Sequence, residues 1–257
     1  MLNVKKVYVC NDSITGIFSG IYDAWKTRLE QDKLGIVLKG YINQELFCEY
    51  VECEENEQKA IAVEKLIKKH LGYEAYWDIY HAVLSNDLEK GDAILGAMLE
   101  AKKISDSRKI MQHLSHWKVR KVFELSRKVA NESHYYKEIV RFKELENGIL
   151  FAQIEPQNQI LTCLGDHFSN RFPLENWMIY DRTHKMFLVH RESKHWFLVV
   201  DEELNEEMAI KVSEKERIYM NLWKGFFENI AIEERESYER QRQHLPIRYR
   251  KHVTEFQ

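Results

Sequence analysis

Two acidic residues are the first feature of this chain that could do chemistry. Glu155 stands immediately before Pro156, and Asp181 closes the short apolar run WMIYD. Acids at strand ends serve as active-site groups, and they serve equally as turn and cap residues. A pair converging on a divalent metal would suit phosphodiester hydrolysis. Glu144, Glu146 and Asp166 are further candidates near in sequence, but spacing alone leaves both readings open. His113 and His116 stand three apart, a spacing that can share a metal, yet no third ligand is marked. We expect neither a metal nor a cofactor. The chain has no GxSxG, no HExxH, no P-loop and no GxGxxG following a strand, so none of the common catalytic signatures applies.

The second feature is basic. Read as one helix, residues 107–131 place Lys109, His113, His116, Arg120 and Arg127 within about 60° of one another at 100° per residue. Ile110, Leu114, Trp117, Leu125 and Val129 fall on the opposite side. A line of cations suits a phosphate backbone, because each neutralised phosphate releases condensed counterions. It equally suits a solvated helix face. Near the end of the chain, Arg240, Arg242, Arg248, Arg250 and Lys251 surround Tyr249. Arg with Tyr fits phosphate contact and base stacking; the alternative is an arm packed on the chain's own acids.

These cations stand out against a balanced total. The chain has 257 residues, 38 Lys+Arg and 41 Asp+Glu, for a formal net charge of −3. Residues 102–143 hold twelve basic and four acidic side chains, a local +8, and residues 239–252 hold five against one. Seven Glu lie between Glu45 and Glu64, and five acids crowd residues 201–207. Such segregation permits a basic face for an anionic partner. No apolar run is long enough for a membrane span, and the opening MLNVKKVYVC reads as a strand rather than a signal peptide. The expectation is a cytoplasmic protein. Cys10, Cys48, Cys53 and Cys163 form no CxxC pair, which argues against a disulfide framework or a cysteine-held cluster.

The elements that must position these groups follow from periodicity. Val4–Val9 reads as a strand; Ile14, Ile17, Phe18, Ile21, Tyr22 and Trp25 form a helical stripe behind the cap candidates Asp12 and Ser13. Gly35–Leu38 and Leu46–Val51 read as strands, and Asn56–Leu71 as a helix stopped by Gly72. From Tyr73 to about Glu132 the pattern is helical. Gly148–Ile154, Trp177–Asp181, Met186–His190 and Trp196–Val200 suggest an antiparallel sheet, with a helix over 158–172. Ser213 and Glu216 form a capping-box signature for a helix expected to bury Tyr219, Leu222, Trp223, Phe226, Phe227 and Ile230. The expected class is α+β: an N-terminal strand–helix unit (1–72), a helical block (73–132), and a sheet flanked by helices with a basic tail (133–257), or one domain overall.

Four stretches together resemble a bacterial family of uncharacterised proteins described as DNA metabolism or DNA repair proteins. They are VYVCNDSITGIFSGIYDAW, NESHYYKEIVRFKELENGILFAQIEP, NQILTCLGDHFSNRFPLENWMIYD and LWKGFFENIAIEERESYERQRQHLPIRYRKHVTEF. The resemblance spans essentially the whole chain. Members are encoded beside a radical SAM protein, and related domains occur fused to uracil-DNA glycosylase-like domains. The resemblance therefore implies a DNA-repair or DNA-modification setting and a radical SAM partner. It singles out His134, Arg141, Phe142, Glu155, Pro156, His167, Phe168, Arg171, Trp177 and Asp181, and in the ending Arg235, Arg242, Pro246, Arg248 and Tyr249. The chain departs from the pattern at Tyr135, where Arg is usual, and at Tyr180, where His is usual. His134, His167 and Asp181 could meet, with Glu155, as an acid–base cluster; His167 could equally be a boundary histidine. Arg141 and Arg171 could bind phosphate or pair structurally with Glu155 and Asp166. The leading expectation is a DNA-binding accessory protein. The alternatives are a nucleic-acid-processing enzyme and a protein-interaction module.

Overall fold

The computed structural model describes residues 4–200, 202, 204, 211–230 and 237–253. Packing divides the chain into Met1–Asn131 and Glu132–Gln257, and the class is α+β.

In the first unit, strands β1 (Lys5–Cys10), β2 (Leu34–Leu38) and β3 (Cys48–Glu52) form a parallel sheet with β1 in the centre. Tyr8 faces Ile36 on one side and Val51 on the other. Helix α1 (Ile14–Lys26) starts where expected: the Ser13 hydroxyl accepts from the Gly16 N–H at 2.8 Å. Its stripe buries Ile17, Phe18, Ile21 and Ala24. Asn56 caps α2 (Glu57–His70) by accepting from the N–H groups of Gln58 and Lys59. Gly72, at φ +88°, ends that helix in a conformation few other residues tolerate, and α3 (Gly72–Leu84) and α4 (Lys90–Glu100) follow. One apolar core joins Tyr8, Ile17, Leu34 and Ile67 with Ile79, Ile94, Met98, Val122 and Leu125, so it draws on both sides of residue 72.

The helix expected over 107–131 is two elements. Ser107–Gln112 is a 3-10 turn capped by Asp106, His113 leaves helical geometry, and α5 runs from Trp117 to Ile139. The reason is phase. Ile110 and Val119 lie nine residues apart, about 180° around a continuous helix, yet both are buried. The break lets both face the core. Leu114 and Trp117, expected in the apolar stripe, are exposed, and Val119, Val122, Leu125 and Val129 make the buried face.

In the second unit the sheet runs β4 (Lys143–Glu144), β5 (Leu150–Ile154), β6 (Trp177–Asp181), β7 (Met186–His190), β8 (Phe197–Val200). The expected antiparallel pairing holds across β6–β7–β8, and β4, a strand the sequence did not mark, pairs antiparallel with β5. β5 and β6 are parallel, because α6 (Leu161–Arg171) carries the chain back between them. Ser213 caps α7 (Glu214–Ile230), accepting from the Glu216 N–H at 3.1 Å, but the Glu216 carboxylate accepts from the Glu144 N–H instead of closing a capping box. The expectation that α7 buries its stripe fails where it can be read: Tyr219, Leu222 and Trp223 are exposed, Leu222 by 63%. The Phe226, Phe227 and Ile230 side chains, and Arg235, lie outside the described residues. The tail forms α8 (Tyr238–His244) and a 3-10 turn over Ile247–His252.

Candidate functional site: the carboxyl ends of β5 and β6

Ile154 and Asp181 are register partners at the ends of two parallel strands, and the Arg182 N–H continues the pairing to the Ile154 carbonyl at 3.0 Å. Glu155 and Asp181 are thereby carried to one edge of the sheet. Outside the carboxyl ends of parallel strands, backbone and loops leave room for ligands.

Glu155 is the hub. It accepts from Lys251 Nζ at 2.6 and 2.7 Å, meets His252 Nε2 at 3.2 Å, and has Arg182 Nε at 3.7 Å. Burial alone would raise its carboxyl; hydrogen bonds from Lys251 and His252 overcome that and hold it below the usual range. Asp181 is fully buried. Its Oδ1 accepts from the Thr183 and His184 N–H groups at 2.9 and 3.1 Å, and its Oδ2 meets His184 Nδ1 at 2.6 Å. Burial pushes the Asp181 carboxyl up, against the pull of His184. Asp181 therefore closes its own turn and orients the His184 ring.

Glu132, buried on α5, anchors the loop after Glu155. Its carboxylate accepts from the Gln157 N–H at 2.9 Å, the Asn158 N–H at 2.9 Å and Asn158 Nδ2 at 2.6 Å. Arg248 donates to Gln157 Oε1 at 3.0 Å and to the Tyr249 hydroxyl at 2.6 Å. Tyr249 is buried, stacked on Tyr135 at 5.4 Å and edge-on to Tyr136 at 5.3 Å. Tyr136, Glu155, Arg248, Tyr249 and His252 line a cleft with about 10 Å³ of free space, the room of one water molecule. A nucleobase does not fit it as it stands.

The expected catalytic set does not converge. Glu155 and Asp181 share the sheet edge, but they bond to different partners. His134 is 75% exposed and meets only Glu138, at 3.1 Å, among the described contacts. His167 lies on α6, edge-on to Phe168 at 4.9 Å, with a buried Nε2 that has no hydrogen-bond partner. The tail takes the second of its two expected forms. Tyr249 is core, Arg248 and Lys251 grip Gln157 and Glu155, and Arg250 donates to the Leu245 carbonyl at 2.9 Å. This is the arm packed on its own acids. Arg240 and Arg242 are exposed on α8. Arg141 donates to the Glu138 carbonyl at 3.0 Å, at the end of α5. Arg171 lies 5.6 Å from the Phe172 ring. Tyr135 and Tyr180, the departures from the family pattern, are packed aromatics, Tyr180 at 4.5 Å from Phe187. Among the described residues no three His, Cys, Asp or Glu side chains stand together to hold a metal ion.

The basic stripe is likewise divided. Lys109 sits in the 3-10 turn, 3.8 Å from Asp106; His113 ends that turn; His116 precedes α5, 3.7 Å from Glu100. Arg120 and Arg127 alone share a helix. They stand seven residues apart and about 20° out of line, both exposed, and form no ion pair among the described residues. Exposed Glu124 lies between them, about 40° from Arg120.

Sequence reasoning missed Glu132, Arg182, His184 and His252. The DRTH spacing at 181–184 is that of a capped turn and could have pointed to His184. Nothing local marks Glu132 as a partner of residues 157 and 158.

His167 gives a pH prediction. Burial, then Lys137 and Arg171, lower its pKa below the ordinary 6.5, and burial lowers His252 as well. The unfolded chain takes up these protons first, so this stability is full above about pH 6.5 and is lost as pH falls below it. Asp181, raised, acts with the opposite sign at the acid end. Unfolding followed by urea from about pH 7 to 5 should show a shallower loss for His167→Gln than for the wild type. Parallel curves would mean the ring is hydrated.

An α+β chain with this hub of paired acids and cations is matched over residues 88–255 by the family described as a domain of unknown function, DUF4130. The chain belongs to that family. No curated protein matches it. A solved structure described as a member of a family of ribosomal proteins, DHH domain, aligns over 74% of each chain at 11% identity and a TM-score of 0.31. Among the described residues no helix is long and apolar enough to cross a membrane.

Proposed function

We propose that this protein is a DNA-associated accessory in DNA repair or modification, working beside a radical SAM partner. The observation that carries the DNA-binding part is the exposed Arg120/Arg127 pair on α5, two guanidinium groups without an ion-pair partner among the described residues. Exposed Arg240 and Arg242 on α8 supply two further cations. The family-like sequence supports the repair setting and the partner.

The test is fluorescence anisotropy with single- and double-stranded DNA across a salt series. Exchanging both arginines (Arg120→Glu with Arg127→Glu) should weaken binding roughly tenfold or more at low salt and flatten the salt slope by about two. Unchanged affinity with intact helicity would remove α5 from the interface. No DNA binding by the wild type at low salt would sink the reading and leave a protein-interaction module.

A second reading, an enzyme that processes nucleic acid, is favoured by one observation. Two acids, Glu155 and Asp181, with His252 and His184 beside them, stand at the carboxyl ends of parallel strands. Altered DNA after incubation, lost on Glu155→Gln, would move the assignment to that reading.

A further inference from the structure

Two thiols meet at the carboxyl edge of the first sheet. The β1–β3 register pairs Val9 with Glu52, so Cys10 and Cys53 are the next partners, and the Cys53 N–H donates to the Val9 carbonyl at 2.9 Å. Adjacent strands lie about 4.8 Å apart, within the Cα span a disulfide bridges. The sulfurs converge over Gly20 of α1: a methyl placed on Gly20 would lie 2.0 Å from Cys10 Sγ and 3.6 Å from Cys53 Sγ. Cys10 is fully buried, whereas Cys53 is only half-buried. The two are also electronically distinct. The Cys10 thiol donates to the Tyr8 carbonyl and the Cys53 thiol to the Val51 carbonyl, both at 3.9 Å. The neighbouring sulfur, with burial, raises Cys10, while the Cys10 neighbour lowers Cys53, with Lys59 adding to the latter. Burial pushes Cys163 up to about 11.

We propose that Cys53 and Cys10 form a modification site for small-molecule disulfides, with Cys53 as the attacking sulfur and Cys10 as the resolving one. Cys53 loses its proton to solvent and attacks the disulfide RSSR; its S–S bond breaks and RS⁻ leaves, taking a proton from water. Cys10 then attacks the Cys53 sulfur of the mixed disulfide. The Cys10–Cys53 bond forms, and the second RS⁻ departs with the Cys10 proton. Two thiols are oxidised and one disulfide is reduced to two RSH. The bond would tie the strand leading into the α1 cap to the strand leading into the α2 cap, where Ser13 already donates to Glu55 and Ser19 bonds the Asn56 backbone. This site is independent of the proposed DNA contacts.

The test uses the full native chain and oxidised glutathione, followed by non-reducing digestion and mass spectrometry. The wild type should yield a Cys10–Cys53 linked peptide. Cys10→Ser should trap glutathione on Cys53, and Cys53→Ser should leave Cys10 unmodified. Iodoacetamide should label wild-type Cys53 on the order of tenfold faster than Cys163, a comparison that needs no variant to fold. The proposal is overturned if the folded wild type gives no linked peptide, or if Cys53 is labelled no faster than Cys163.

Discussion

Trp177→Ala is expected to destabilise the second unit by about 3–5 kcal/mol, the range for emptying a buried aromatic site. Trp177 is 1% exposed. It stacks on His190 at 5.0 Å and 8°, and takes Phe142 and Phe168 edge-on at 6.0 and 6.2 Å. His190 is itself buried, with Nδ1 donating to the Glu175 carbonyl at 2.9 Å, so it is not the surface histidine its place beside a turn suggests. Removing the indole leaves a cavity lined by His190 of β7, Phe168 of α6 and Phe142. A loss of this size is a large part of the stability of a domain. Trp177→Phe should cost much less, since it keeps most of the ring area and removes an indole N–H that has no partner. Urea unfolding monitored by far-UV circular dichroism distinguishes the two. Similar midpoints for Ala and Phe would show that the aromatic cluster does not hold this unit.

Glu132→Ala should cost about 3 kcal/mol or more. Three donors lose their acceptor at once, the two on Asn158 buried and the Gln157 N–H part-buried, and each buried polar group left unpaired carries a penalty of about 1–3 kcal/mol. Glu132→Gln should be intermediate, since an amide offers one oxygen and turns its NH₂ toward a donor. The loop that begins at Glu155 and Pro156 is fixed to α5 through this carboxylate. The alanine variant should therefore also loosen the contacts of Glu155 with Lys251 and His252. Amide exchange at Gln157 and Asn158 gives the readout; protection unchanged from the wild type would show that the loop is held by other means.

Much of the fold is legible where the signal is local. The stripe from Ile14 to Trp25 behind Ser13, the stop at Gly72 and the three antiparallel strands after Trp177 are all short-range patterns, and all are found. The α5 region misleads because Leu114 and Trp117 fit a core stripe by spacing while Val119 does not. Only the tertiary demand that Ile110 and Val119 both be buried reveals the break. The site is less legible for the same reason. Glu155 and Asp181 stand out in the sequence, but their partners are set by distance in the chain: Lys251 lies 96 residues from Glu155, and Glu132 lies 26 from Asn158. The Arg-rich tail looks like a ligand arm by composition, and several of its cations are occupied by groups that composition cannot pair with them.

The shared core of the first unit bears on how this family can be cut for expression. The matched region begins at residue 88, inside that unit. α4 and the buried face of α5 lie within it, while β1, α1, β2 and α3 lie outside. Gly91 brings α4 so close to the sheet that an added methyl would strike Ile36 and touch Ile17. A fragment trimmed to the matched region would leave Ile94, Leu95, Met98, Val119 and Val122 facing water, a patch of the kind that drives aggregation. The family label and the folding unit are different lengths of chain, and a fragment that stays in solution has to start with the first strand.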